Sequence, residues 1–191
     1  MLQKHLFSSK KNDMDKPTII KQLNENYLAF IAYLDTLTEE QLRYSFDKKW
    51  TAGQQLEHIY LSVKPVKLAF ILPQFIVRLI GGKATHKSRT YEELVNAYLL
   101  VLKNGGKATR SYIPNNSTYP KGTELKTKLK NEIQKLCAYI HQTSEEDLDK
   151  LMLPHPLVGK ITMREMLYFT IYHVHHHHMA TMQNLSHFAA N

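Results

Sequence analysis

Four segments of the chain carry apolar residues at alternating spacings of three and four, which places those residues on one face of an α-helix. The first segment spans residues 16–37, the second begins at Thr51, the third spans residues 123–142 and the fourth follows Thr162. Thr162 and Glu165 have the spacing of a capping box, which marks the start of the last helix. No pair of segments has the pattern of a strong β-hairpin. The chain is therefore predicted to be all-α, with four long antiparallel helices.

The region between the second and third predicted helices, about residues 64–106, has a different pattern and is predicted to be a helical insertion. Pro65 is expected to disturb the second helix, and an apolar unit over residues 66–82 follows it, broken at Pro73. A further capped helix is predicted over residues 90–103. The loop after that helix is long for a compact domain, so we expect it to border a functional site.

The length of 191 residues suits one domain with a substantial core, predicted over residues 16–188 after a flexible lead-in of residues 1–15. The lead-in lacks the apolar centre of a signal peptide. The most apolar window, residues 66–80, is interrupted by charges and a proline and is too short to cross a membrane. Cys137 is the single cysteine, so no internal disulfide can form, and it is interpreted as a buried helical residue. These features predict a soluble, cytoplasmic protein.

A formal net charge of +8 raises the question of an acidic partner. Lysines and arginines are spread along the whole chain and are not gathered in one strip with interleaved aromatic residues. We therefore prefer a solvated basic surface, and nucleic acid is not an expected partner. A basic approach to an anionic small molecule remains open.

A run of histidines inside the fourth predicted helix is the strongest chemical signal in the chain. His173 and His177 are four residues apart on the inward face of that helix, so their imidazoles project toward the same point. Buried imidazoles need polar partners, and either a metal ion or hydrogen bonds within a core would supply them. His58, on the flank of the second helix's apolar stripe, is the candidate third ligand. His176, one step from His173 on the helix, is the main rival ligand. An exposed run that binds metal only adventitiously remains an alternative for His175, His176 and His178.

Other catalytic signals are weak or missing from the sequence. No glutamate lies between His173 and His177, as the HExxH motif of helical metalloproteases requires, and no phosphate loop, Cys-x-x-Cys pair or serine-hydrolase elbow is present. Glu57 points about 100 degrees away from His58 on an ideal helix, so it is not expected to be a general base. The scattered histidines are interpreted as surface or loop residues; they are His5, His86, His141, His155 and His187.

Two segments point to a known family. Residues 50–59 read WTAGQQLEHI, and residues 155–162 read HPLVGKIT and are followed by the His173 and His177 pair. They resemble the helix-two and helix-four signatures of the DinB/YfiT-like superfamily of metal-dependent enzymes, and the similarity in helix order extends over most of the chain. The resemblance implies an up-down-down-up four-helix bundle in which His58, His173 and His177 hold a divalent metal ion.

The chain departs from the family pattern in two places. Members often have a glutamine soon after the last histidine, whereas here Gln183 follows His177 by six residues, so its role is unassigned. The segment over residues 64–89 is also longer than in typical members and is expected to reshape the cover of the metal. Trp50 is expected to pack at the end of the bundle and not to contact substrate.

Three histidines with an open coordination position are typical of a catalytic metal site. Zinc or nickel is the expected metal, with iron as a further candidate, because nitrogen ligands suit all three. A metal in such a site lowers the pKa of a bound water or thiol, which predicts transfer of a nucleophile to a small-molecule substrate. Transfer of a low-molecular-weight thiol is the preferred hypothesis, because related members of the superfamily use such thiols. Metal-dependent hydrolysis is the second enzymatic hypothesis.

A non-catalytic function is the remaining alternative. In that case the chain is a metal-binding bundle that acts in dimerisation or partner binding. A homodimer is expected in either case, because residues 66–80 form an apolar surface that a monomer would have to cover.

Overall fold

The computed structural model describes residues 14–115 and 122–188. In chain order the helices are α1 (Lys16–Asp35), α2 (Glu39–Arg43), α3 (Ala52–Ile71), α4 (Gln74–Gly81), α5 (Tyr91–Lys103), α6 (Gly122–Gln142), α7 (Glu145–Lys150) and α8 (Met163–Leu185). Two short strands, β1 (Met152–His155) and β2 (Gly159–Thr162), precede α8. The long helices α1, α3, α6 and α8 are the four that the apolar periodicity predicts. Of the predicted lead-in, residues 1–13 lie outside the described residues, and Asp15 caps α1.

Contacts between the ends of the long helices establish an up-down-down-up bundle. Lys16, in the first turn of α1, donates to the backbone carbonyl that directly follows α6, so these two helices are antiparallel. Met14, just before α1, is hydrogen-bonded to Tyr168 near the start of α8, so α1 and α8 are parallel. Gln55, near the start of α3, contacts His177 near the end of α8, so these two are antiparallel. The topology implied by the family resemblance is therefore confirmed.

Helix α3 continues through Pro65 to Ile71, whereas the sequence predicts a disturbance at Pro65. The prediction underestimates packing: Val63 and Val66, on either side of the proline, are buried in the core, and their burial offsets the missing N–H. The segment over residues 64–106 then supplies the last turns of α3, the short α4 and the capped α5. Thr90 and Glu93 form the capping box that opens α5 as predicted.

A β-hairpin before α8 is a feature that the sequence did not predict. Strands β1 and β2 pair antiparallel, with Met152 opposite Thr162 and His155 opposite Gly159. Two prolines within the segment weaken its strand signal, and each strand is only four residues long. Gly159 has a positive φ of 76 degrees, which a glycine adopts without strain at the turn. The fold is thus an all-α bundle with one small hairpin at its end.

The start of α8 is fastened by two buried charged residues. Arg164 donates to the Asp149 carboxylate at 2.7 Å, and Glu165 accepts from Arg89 Nε at 2.8 Å. These bonds tie α8 to α7 and to the segment that leads into α5, and they hold the helix against the hairpin. Among the described residues, no helix is long and apolar enough to cross a membrane.

Candidate metal centre

Three buried imidazoles meet where α3 and α8 cross. His58 lies in the second turn of α3, and His173 and His177 lie one turn apart on the inward face of α8. The three residues are only 4%, 5% and 8% exposed. The structure therefore brings together the three histidines that the sequence nominated from segments more than a hundred residues apart.

The three Nε2 atoms converge on one another. His173 Nε2 lies 3.1 Å from His58 Nε2 and 3.1 Å from His177 Nε2, and the three atoms lie within 4.8 Å of one another. A tetrahedral metal with bonds of about 2.0–2.1 Å to nitrogen separates its ligand atoms by about 3.3 Å. The two separations of 3.1 Å are close to this value, so the group is compact enough to share one metal ion.

Hydrogen bonds on the far side of two of the rings place their lone pairs toward the centre. His58 Nδ1 donates to the Tyr112 carbonyl at 2.6 Å, and His177 Nδ1 donates to the side-chain oxygen of Gln55. In the neutral rings, the Nε2 atoms of His58 and His177 are then unprotonated acceptors. Both face His173 Nε2, which carries at most one proton and cannot satisfy both. A cation at the centre resolves this conflict, so the residues fit a metal ion.

Burial also keeps these histidines in the form that binds metal. Desolvation lowers the pKa of His173 and His177 well below the ordinary value, and neighbouring histidines lower each further. Burial also lowers the pKa of His58, against the opposing effect of its hydrogen bond to Tyr112. Neutral imidazoles keep a lone pair for a metal without first losing a proton.

The rest of the histidine run has other surroundings. His176 is half-buried, with its ring centroid 5.2 Å from that of His177, but it is not a member of the convergent group. His178 packs against Phe30 and Tyr33, and His175 is exposed. His176 therefore lies outside the convergent group and lines the adjoining cavity.

A cavity of about 410 Å³ opens from the three histidines. Its walls come from the second half of α3, from α4 and α5, from the loop after α5, from the hairpin and from α8. Most of the lining is apolar, including Val66, Leu72, Val77, Leu102 and Met166. The volume and the apolar walls are those of a small-molecule site. Within the long loop after α5, Lys107, Ala108, Thr109 and Tyr112 line this cavity. Residues 116–121 of the loop lie outside the described part of the chain.

The sequence model of the DinB superfamily matches residues 22–180. The chain belongs to the DinB superfamily. Its fold is similar to that of a solved structure, "YfiT from Bacillus subtilis", described as "a probable metal-dependent hydrolase with an unusual four-helix bundle topology". The TM-score is 0.61 at 18% sequence identity, over 93% of this chain and 91% of that one, so the two proteins share the bundle fold. No curated protein matches the chain.

Two residues of this DinB chain take part in the site although the sequence did not place them there. Trp50, expected to pack at the bundle end, lines the cavity with its ring 4.9 Å from that of His58 and 6.2 Å from that of His177. His155, interpreted as a surface or loop residue, is buried in β1 and also lines the cavity. Burial lowers the pKa of His155 to about 4, so it is neutral at physiological pH. The sequence signal that could have indicated a place in the site for His155 is its position as the first residue of the HPLVGKIT segment, which resembles the family signature.

Three other residues lie away from the centre. The Glu57 carboxylate accepts from the Asn115 backbone N–H at 3.0 Å and is not among the residues that line the cavity. Gln183 is exposed, so the late glutamine takes no part in the site. Cys137 is buried against α1, and burial raises the pKa of its thiol to about 11, which suits a structural residue.

Proposed function

We propose that the protein is a metal-dependent enzyme in which His58, His173 and His177 hold one divalent ion. The observation that carries the proposal is the convergence of their Nε2 atoms in the wall of a largely apolar cavity. Three protein ligands leave a coordination position for water or substrate, as in catalytic zinc sites. The description of YfiT as a probable metal-dependent hydrolase supports the proposal that this chain is also metal-dependent. Zinc and nickel are the first candidates, with iron next.

The reaction that we propose is transfer of a nucleophile to an electrophilic small molecule. A metal bound at the centre would lower the pKa of a thiol or water toward neutrality. The apolar walls would bind the body of the electrophile and exclude bulk water. Trp50 and Phe169, which flank the histidine rings, would hold the reacting end of the substrate beside the centre.

A low-molecular-weight thiol is our preferred nucleophile. Lys107 is exposed and also lines the cavity, where its ammonium group would pair with a carboxylate of an acidic thiol. This is the basic approach to an anionic small molecule that the net charge left open. Hydrolysis is the second candidate, and the description of YfiT as a hydrolase favours it.

We also propose that the protein forms a homodimer through α4. Phe75 and Leu79 on this helix are 70% and 82% exposed, and Ile80 beside them is also exposed. A second copy would cover these apolar side chains. The same surface would serve the non-catalytic alternative, in which the bundle acts in partner binding.

Elemental analysis tests the metal proposal most directly. Untagged protein is purified without a metal column, because a histidine run can acquire nickel from the resin. We expect one metal ion per chain in the wild type and in the control His175→Ala, which removes an exposed member of the run. We expect almost none in His58→Ala. Equal metal in all three proteins would leave adventitious binding to the run as the better account.

Turnover assays then separate the two reactions. Glutathione and cysteine are offered with chlorodinitrobenzene for thiol transfer, and nitrophenyl acetate is offered for hydrolysis. We expect thiol transfer that stops with a chelator, returns with added metal and is lost in His58→Ala. Metal-dependent cleavage of the ester alone would favour the hydrolase, and no metal-dependent turnover of any substrate would favour the non-catalytic bundle.

A further inference from the structure

The hairpin before α8 fixes the protonation of a buried histidine on the cavity wall. His155 is 7% exposed, and its Nδ1 accepts hydrogen bonds from the backbone N–H groups of Leu157 at 3.1 Å and Val158 at 3.2 Å. A nitrogen that accepts two N–H groups carries no proton. The neutral ring therefore carries its proton on Nε2, and this atom is a hydrogen-bond donor.

The Nε2 atom of His155 lies on the opposite side of the ring from Nδ1, which binds the hairpin turn. Within residues 14–115 and 122–188, no hydrogen-bond partner of His155 Nε2 is present, and the ring lines the cavity. The ring packs edge to face on Phe169 at 4.2 Å, and Phe169 stacks on His173 at 4.7 Å. A polar N–H thus lies one aromatic ring away from the histidine cluster, on a wall that is otherwise largely apolar. Because His155 lines the cavity and its Nε2 is not among the fully buried unpaired atoms of the described residues, this N–H is accessible to the acceptor oxygen of a ligand there.

We propose that His155 is a substrate-binding residue whose Nε2–H donates a hydrogen bond to an acceptor oxygen of a mostly apolar, neutral ligand. The ligand class is a compact hydrocarbon body with a carbonyl or similar oxygen directed toward the metal centre. The apolar body suits the walls formed by Val66, Leu72 and Met166, and the single donor orients it. The role of His155 in a reaction rests on the proposed function, whereas its role in binding does not require a metal.

Two substitutions separate the two edges of the ring. His155→Asn places an amide oxygen close to the position of Nδ1, so it still accepts from the turn N–H groups but no longer reaches the cavity. His155→Gln places its amide NH₂ close to the position of Nε2 and restores a cavity donor. His141→Asn, on the exposed surface of α6, is the matched control. Circular dichroism and metal content establish that each variant keeps the fold and the centre.

The test compares two ligands of nearly the same shape, adamantanone and methyleneadamantane, by titration calorimetry on the full chain. It is run with zinc bound and again with a chelator, because a ketone oxygen can also bind zinc. We expect the wild type and His141→Asn to bind the ketone about three- to ten-fold more tightly than the alkene in both conditions. We expect this preference to disappear in His155→Asn and to return in His155→Gln.

The inference is overturned if His155→Asn keeps the ketone preference, or if neither probe binds the wild type. It is also overturned if nitrogen-detected NMR places the proton of His155 on Nδ1. These results are independent of the metal proposal. If the chain binds no metal but shows a ketone preference that is lost in His155→Asn, the role of His155 is supported and the metal proposal is contradicted. If the chain binds metal but His155→Asn keeps the ketone preference, the metal proposal is supported and the role of His155 is contradicted.

Discussion

Gln55 on α3 and His177 on α8 are joined by a hydrogen bond from the imidazole Nδ1 to the amide oxygen. This bond fixes the tautomer of His177 and directs its Nε2 toward His58 and His173. It also crosses the interface between the two helices that supply all three imidazoles. A side chain that is no ligand itself therefore sets the geometry of the centre, as outer hydrogen bonds do in known metal sites.

Replacing Gln55 with leucine is expected to weaken metal binding without removing a ligand. The substitution keeps the size of the side chain but leaves the His177 Nδ1 without its acceptor, and we expect about a 10- to 100-fold rise in the dissociation constant. Competition with a zinc-binding dye measures it. Gln134→Leu, the same change at an exposed position on α6, is the control and should bind as the wild type does. Unchanged affinity in Gln55→Leu would show that the hydrogen bond has no influence on the centre.

Metal binding is expected to stabilise the folded chain. An ion present at about 100 times its dissociation constant adds about 2.7 kcal/mol to the free energy of unfolding. For a domain of this size, that corresponds to a rise of about 5–10 °C in melting temperature. Differential scanning calorimetry should show this rise on adding zinc to the wild type and to His175→Ala. His173→Ala should show none, and an equal rise there would place the bound ion elsewhere.

Acid is expected to destabilise the protein through Glu165. Burial would raise the pKa of Glu165, but hydrogen bonds from Arg89 and from the Thr162 backbone outweigh it and hold the pKa below the usual value. The carboxylate therefore stabilises the fold above its unfolded pKa of about 4.3, and this contribution is lost as the pH falls through the lower folded pKa. Urea unfolding between about pH 5 and 3 should show the loss.

Removing the partner of Glu165 should change both the stability and its pH dependence. Arg89→Met leaves a buried carboxylate without its cation, and we expect a loss of about 2–3 kcal/mol near neutral pH. The pKa of Glu165 should then rise, so the variant should lose less stability than the wild type as the pH falls. Arg110→Met, at an exposed position, is the control and should follow the wild-type curve. A parallel curve for Arg89→Met would contradict this assignment.

The contact between α4 and β1 depends on the lack of a side chain at Gly81. A Cβ atom at this position would lie 1.6 Å from the Met152 carbonyl oxygen, which is backbone and cannot move aside alone. Gly81→Ala should therefore destabilise the protein by about 1–3 kcal/mol, although alanine favours helices. Chemical unfolding measures the change, with Arg78→Ala on the exposed face of α4 as the control. A more stable Gly81→Ala protein would be inconsistent with this close packing.

The proposed dimer is tested by making α4 polar. Phe75→Ser combined with Leu79→Ser should convert a dimer into a monomer, because the apolar side chains that a second copy would cover are gone. Sedimentation velocity distinguishes the two states. Leu28→Ser, at a partly exposed position on α1, should leave the dimer intact. If the wild-type protein sediments as a monomer at high concentration, the proposed homodimer is contradicted.

Much of the bundle was predictable because helix periodicity and caps are local signals. The spacing of apolar residues predicted the four long helices, and Thr90 and Thr162 marked the helix starts where the structure has them. The pair of His173 and His177 was predictable for the same reason, since four residues on one helix bring two side chains to one face. The nomination of His58 came from its place on the stripe and from the family resemblance.

The predictions that were wrong concern features that depend on contacts between residues far apart in the sequence. Pro65 is tolerated because buried neighbours stabilise α3 around it, and the hairpin forms because it packs between α4 and α8. Neither set of contacts can be predicted from the residues adjacent to Pro65 or to the hairpin in the sequence. His155 looked like a loop histidine because its burial comes from Phe169 and from the hairpin turn, which only the folded chain brings around it.

The sequence by itself determined the class of the fold, the two helices that carry the imidazoles and the residue types of the centre, since each is written in a local repeat or spacing. Only the tertiary structure decided that the Nε2 atoms converge, which tautomers Tyr112 and Gln55 impose, and how α4, α5 and the hairpin enclose the cavity. The physical reason is that distances between side chains on different helices depend on how those helices pack, and packing is a property of the whole chain.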